Sequence, residues 1–276
     1  MAYAIERTET LHGAVQRIMD EQIVRARDTL DDPKAPAADR VHDARKRFKE
    51  IRALLRLVRE PLGDQFAHEN AWFRDAARNL AAARDADAVI EALDKLALPR
   101  AVAKRARKVI DAQRASHPPL EPIIGNVLEQ LVIAQGRLGM WPQLDDSFDT
   151  IAPGLLRTYR EGRRGMQTHG DAEELHEWRK RVKEHWYHAQ LLRHVWPEMM
   201  KPYADVLSTL SKALGDHHDL HVLRELVPEL ADVIDARQAE LEQQAMAIGR
   251  RVYAEKPAAW LARMRNTWKA WIRTAP

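Results

Sequence analysis

Between Arg45 and Arg59 the chain carries seven basic side chains, Arg45, Lys46, Arg47, Lys49, Arg52, Arg56 and Arg59, against a single acid, Glu50. At about 100° per residue on a helix, His42, Arg45, Lys46, Lys49, Arg52 and Arg56 fall within roughly 80° of one line. Phe48, Ile51, Leu54, Leu55 and Val58 face the other way. The column from Arg45 to Arg56 is about 16 Å long at 1.5 Å per residue. Exposed helix faces usually interleave acids with bases, because like charges at i,i+4 repel. This ridge therefore calls for a counter-anion, from a neighbouring helix or from a ligand. Arginine presents a planar fork that matches phosphate oxygens in pairs, and lysine adds a compact charge. The chemistry these residues offer is recognition of a polyanion. A solvated face, or one paired to carboxylates of adjacent helices, is the alternative.

The device occurs twice. LHEWRKRVKEHWYHAQLLRH (175–194) lies over VHDARKRFKEIRALLRLVRE (41–60) at an offset of 134 residues. His176, Arg179, Lys180 and Lys183 then stand at the places of His42, Arg45, Lys46 and Lys49, and Glu184 at that of Glu50. Trp186 and Gln190 replace Arg52 and Arg56. The same offset later sets Leu214 on Leu80 and Asp219 on Asp85. Just before the second histidine, LLRTYREGRRGMQTH adds Arg157, Arg160, Arg163 and Arg164 with Glu161 as the one acid. A duplication of this long period is not a solenoid. It predicts two similar bundles across a pseudo-twofold axis, with both cation columns lining one basic central channel. Asp85 and Asp219, each read as following a turn, are candidates to orient a channel arginine or histidine; helix capping is the equal alternative.

The elements needed to position these residues are helices. Alanine, leucine, arginine and glutamate dominate, and no hairpin turn or sustained alternating pattern occurs. Breaks are expected at 31–37, 61–64, 98–99, 116–122, 138–147, 168–171 and 197–202, and near Pro228 and Pro257. The longest, 136–147, divides residues 1–140 from residues 141–276, giving an all-α chain of two four-helix-bundle repeats. The net charge of +3 would not by itself point to an anion, so the clustering carries the argument. There is no cysteine, no apolar run of bilayer-spanning length, and no signal-peptide core in MAYAIERTET. A cytoplasmic location is expected.

Twelve histidines invite other chemistry. His42–Asp43 and His217–His218–Asp219 resemble the ligand pairs of metal-dependent phosphohydrolases, but Arg45, Lys46 and Lys49 would repel a divalent ion. We therefore expect no metal, no cofactor and no catalytic residue. His42 and His176 are read as phosphate donors whose charging would strengthen binding as pH falls toward 6. His185, His188, His194, His217, His218 and His221 are expected at the surface or at interfaces. Trp72, Trp178, Trp186, Trp196, Trp260, Trp268 and Trp271 are expected in the core, and AAWLARMRNTWKAWIRT as a docked closing helix.

The ordered set VHDARKRFKEIRALLRL, RDADAVIEAL, YREGRRGM, LHEWRKRVKEHWYHAQLL and LGDHHDLHVLREL resembles the CHAD family, the conserved-histidine α-helical domain, from about Leu11 to the last helix. The resemblance implies two four-helix bundles about a pseudo-twofold axis, a basic channel, and binding of inorganic polyphosphate with targeting to polyphosphate granules. The implied contacts are His42, Arg45, Lys46, Lys49, Arg52, Arg157, Arg160, Arg163, Arg164, His176, Arg179, Lys180 and Lys183. Two departures stand out. No ExExK motif of the triphosphatase domain often fused to the family is present, so that activity is not implied. Trp186, Tyr187 and His188 also occupy the part of the second column where family members often carry arginines. Nucleic-acid binding by the same faces and metal-dependent phosphohydrolysis are the competing readings; the chain lacks a recognisable nucleic-acid-binding motif.

Overall fold

The computed structural model describes residues 3–80, 85–114, 119–168 and 170–273, and every regular element among them is helical. The first half runs α1 (Leu11–Leu30), α2 (Ala37–Leu57), a single turn α3 (Arg59–Leu62), α4 (Asp64–Asn79), α5 (Asp85–Lys95), α6 (Arg100–Arg114) and α7 (Glu121–Gly136). After a short 3₁₀ turn the second half runs α8 (Phe148–Thr168), α9 (Ala172–Leu191), α10 (Pro197–Leu226), α11 (Ala231–Val252) and α12 (Pro257–Arg273). None of the described helices is long and apolar enough to cross a membrane.

Local chemistry sets several of these ends. Thr10 Oγ1 accepts the Gly13 N–H at the start of α1, and Asp171 Oδ1 accepts the Glu174 N–H at the start of α9. Each cap satisfies a donor that the first turn leaves open, worth about 1 kcal/mol. Gly63 turns the chain between α3 and α4 with φ of +52°, a conformation closed to most side chains. One expected break moves. Residues 197–202 do not interrupt the helix: Pro197 opens α10, where a missing N–H is harmless, and Pro202 lies inside it. The loss of one backbone bond at Pro202 is outweighed by the buried stripe Met200, Ala204, Leu207, Leu210 and Leu214 that holds α10 on the core.

The two halves are joined along the helices that carry the cation columns. α2 packs on α9, α8 reaches across to α2 and α3, and α5 packs on α10. The N-terminal segment is wedged into the same seam. Tyr3 donates its hydroxyl to the Glu50 carbonyl at 2.7 Å, and the Ile5 N–H reaches the Leu191 carbonyl at 2.9 Å. α12 docks on α8, with Trp260 stacked on Tyr159 at 4.4 Å between centroids and Trp268 against Phe148 at 6.0 Å. Trp178, Trp260 and Trp268 are buried as expected, whereas Trp196 is exposed.

α8 approaches α2 so closely that a Cβ on Gly154 would lie 2.2 Å from the Leu57 carbonyl oxygen. Backbone cannot move aside as a side-chain tip can. Gly125, on the exposed face of α7, meets nothing within 4 Å. Gly154→Ala should therefore lower the free energy of urea unfolding by about 1–3 kcal/mol. Gly125→Ala should raise it by about 0.5–1 kcal/mol through helix propensity. Equal shifts of the same sign in the two variants would show that the crossing is not tight.

Candidate anion-binding cleft

At the crossing of α2 and α9 lies a cleft of about 410 Å³. α2 contributes Lys49, Arg52 and Arg56, α4 contributes Arg74, and α9 contributes Arg179, Lys180, Arg181 and Lys183. Two carboxylates, Glu177 and Glu184, with Ala53 and Tyr187, complete the lining. Cations from both copies of the repeated motif thus share one concavity, because Phe48, Ile51, Val182 and Tyr187 bury the opposite or adjacent faces of their helices.

The basic groups are not equivalent. Glu184 is 3% exposed and draws Arg56 and Arg181 to 3.3 Å each, while Thr158 donates its hydroxyl at 2.9 Å. Burial pushes the Glu184 carboxyl up, yet Arg56, His188, Arg181 and the Thr158 bond together hold it below the usual range. Burial draws Arg56 down from its usual value, opposed by Glu184. Arg52 donates Nε to Asn70 at 3.2 Å and is pushed down to about 10, by burial first and then by Arg56 and Arg74. It keeps its charge at neutral pH. Lys180 is paired to Glu177 on its own helix. Lys183 has its ammonium 3.9 Å from the centre of the Trp186 ring and is lowered to about 8 by burial, Arg179 and Lys46.

The remaining expected residues are spread more widely. Lys46 is exposed and Arg45 half-buried on the same turn of α2, one turn before Lys49. His42 has its Nε2 4.0 Å from Asp43. Arg157 is committed to the Arg56 carbonyl and Glu60, so it ties α8 to the end of α2. Arg163 donates to the carbonyls of Tyr253 and Glu255 at the end of α11 and does not line the cleft. Arg160 and Arg164 are exposed on the outer side of α8, and neither forms an ion pair among the described residues. Asp219 is within α10 and follows no turn, which removes the capping alternative for it. Burial raises its carboxyl, with Arg179 opposing. Asp85 opens α5, and its side chain lies outside the described residues.

The histidines require correction. His176 stacks on His218 at 3.9 Å between ring centroids, and its Nδ1 is buried with no hydrogen-bond partner among the described residues. Burial, Lys180 and Arg179 lower His176 from its usual value; burial and His176 push His218 down to about 3. His218 therefore stays neutral at pH 6, and burial with the neighbouring cations opposes the charging of His176 that a gain in affinity toward that pH would need. Of the histidines expected at the surface or at interfaces, His185 is enclosed in the core and His188 lies at the interface of α9 and α2. His185 lies among Tyr159, Tyr203, Tyr253 and Trp260, with its ring nitrogens 3.3 and 3.2 Å from the Tyr253 and Tyr203 hydroxyls. His188 Nε2 is 2.9 Å from the Ala53 carbonyl at the seam, and His217 is also buried. An expected hydrophobic stripe would not have found them; they are held by aromatic rings and backbone oxygens. Among the described residues no group of three or more histidine and carboxylate side chains is arranged to hold a metal ion. Arg74, Arg181 and Glu184 were missed as cleft residues. The repeat had already set Arg181 and Glu184 on Arg47 and Glu50, whereas nothing in the sequence marks Arg74.

A family model, CHAD domain, matches residues 17–228. Among solved structures, the crystal structure of the CHAD domain from the plant Ricinus communis aligns with a TM-score of 0.54 at 17% identity, over 100% of this chain and 96% of that one. At that identity the likeness speaks for the fold. No curated protein matches the sequence.

The buried His185 makes stability depend on pH. Burial pushes it down to about 3, so the unfolded chain takes up a proton near pH 6.5 that the folded chain refuses. Stability is full above pH 6.5 and falls as pH drops from there toward 3, by about 1.4 kcal/mol per pH unit from this one group. In His185→Gln, urea unfolding between pH 6 and pH 4 should show a slope shallower by about that amount. An unchanged slope would mean that His185 is protonated in the folded protein.

Proposed function

The chain belongs to the CHAD domain family, and from that premise we propose that its cleft binds inorganic polyphosphate and leaves the polymer chemically unchanged. The observation that carries the reading is the meeting of eight basic side chains from three helices with only two carboxylates in one concavity. A low-dielectric cleft of one sign focuses field and concentrates anions. A linear phosphate chain can place successive charges against Arg52, Arg179, Lys49 and Lys180, and arginine forks suit its oxygens.

The element bounds support the duplicated architecture that this reading assumes. Shifted by 134 residues, α2 would run from 171 to 191, beside α9 at Ala172–Leu191. Shifted likewise, α7 would run from 255 to 270, beside α12 at Pro257–Arg273. On this view residues 1–140 and 141–276 are two related bundles, joined into one unit by the α2–α9 and α5–α10 contacts. Placement at polyphosphate granules follows if the ligand is the polymer. A phosphohydrolase reading would require turnover, and phosphate release from polyphosphate with and without manganese tests that directly; metal-stimulated release would overthrow the binding-only proposal.

Binding isotherms should show affinity rising with polyphosphate length and falling steeply with salt as bound cations are displaced. Reversing two exposed cleft lysines, Lys49→Glu with Lys180→Glu, should weaken binding on the order of a hundredfold with helicity unchanged, since charge-assisted contacts are worth about 1.5–3 kcal/mol each. Normal affinity in that variant would refute the cleft. Glu184→Gln should act in both directions. It frees Arg56 and Arg181 to meet the polymer, so affinity should rise several-fold, while loss of the buried partner should cost about 3–5 kcal/mol of stability.

A further inference from the structure

Lys183 differs from the other lysine that α9 gives the cleft. Lys180 has Glu177; Lys183 forms no ion pair among the described residues and instead rests its ammonium 3.9 Å above Trp186 and 5.4 Å from the centre of Tyr187. Its charged neighbours are Arg179 on its own helix and Lys46 on α2, both repelling, with Glu50 on α2 attracting. Arg52 and Arg179 line the same cavity. The result is an amine held in one cavity with guanidinium groups suited to phosphate oxygens.

We propose that Lys183 is a modification site for acyl phosphates, which the cleft would gather by their phosphate and present by their carbonyl to the lysine amine. The inference rests on the phosphate-binding reading of the cleft. In the step, the neutral amine attacks the acyl carbonyl carbon. The new C–N bond forms, the bond from that carbon to the phosphoryl oxygen breaks, and phosphate leaves carrying the proton lost by nitrogen. No further reactant is needed. The product amide has no charge, so acylation would remove one cation from the cleft and weaken its hold on polyphosphate.

The lowered affinity of Lys183 for its proton supports the reactivity. With a value of about 8 against 10.5 for an ordinary lysine, roughly a quarter of the side chain is neutral at pH 7.5, compared with about a thousandth. Bound polyphosphate would both cover the amine and draw it back to the charged form, so it should protect twice over.

The test uses the full chain with acetyl phosphate at pH 7.5, with acetylated peptides followed over time by mass spectrometry. Lys183 should be modified at least tenfold faster than the exposed Lys34 and Lys201. The preference should shrink with a neutral acetylating ester, and Lys183→Arg should lose the fast site. A rate at Lys183 no higher than at Lys34 would overturn the inference, as would an equal preference with the neutral ester. A parallel polyphosphate isotherm on unmodified protein separates the two readings. Tight binding without fast labelling sinks this inference alone. Fast labelling that saturating polyphosphate does not slow sinks the polyphosphate reading and supports a cleft specific for small acyl phosphates.

Discussion

The carboxylate of Glu184 is the point on which the junction of the two halves depends. It is buried where like-charged faces of α2 and α9 converge, and it serves Arg56 from one half and Arg181 from the other. Thr158 fixes it from α8. Without an anion at that place, two guanidinium groups would face each other in a poorly solvated seam, at a cost that helix packing would have to absorb. The fold resolves the conflict only locally. One carboxylate neutralises the innermost cations, Arg56 and Arg181; Lys49, Arg179, Lys180 and Lys183 line the cleft beyond it, with Lys180 paired to Glu177.

That division explains why the basic ridge read from the sequence has two kinds of member. Arg157 and Arg163 are anchored: each donates to a backbone carbonyl at a helix end, where the dipole is negative, and Arg157 also pairs with Glu60. Arg56 lies between the kinds, lining the cleft but tied to Glu184. Spacing on a single helix could not separate these roles, because the partners are Glu60, Glu184 and the carbonyls of α11, all remote in sequence.

The helical class, most breaks and the pairing of the two motifs were legible because they rest on local patterns: helix formers, prolines, and a repeated basic run. What was not legible came from burial by distant elements. His185 and His188 read as surface or interface groups among charged neighbours in RVKEHWYHAQ; Tyr203 and Tyr253 enclose His185, and His188 meets the Ala53 carbonyl at the interface of α9 and α2. The sequence reading sets both Asp219 and its counterpart Asp85 after a turn; in the second half α10 continues unbroken through that register. Arg74 lies on a helix with no motif at all and reaches the cleft only because α4 packs on α2.

Lys183 of the cleft and the nearby His176 and His218 share one trait. Lys183, His176 and His218 are all held below their ordinary values, by burial and by Arg179 and its neighbours. Burial is the larger cause of each shift, and repulsion by nearby cations adds to it. A polyanion bound there would supply negative charge and by linkage would favour proton uptake by whichever of these groups it approached. Polyphosphate binding, as proposed, would therefore be coupled to proton uptake at Lys183 above neutral pH, where its value of about 8 places the titration.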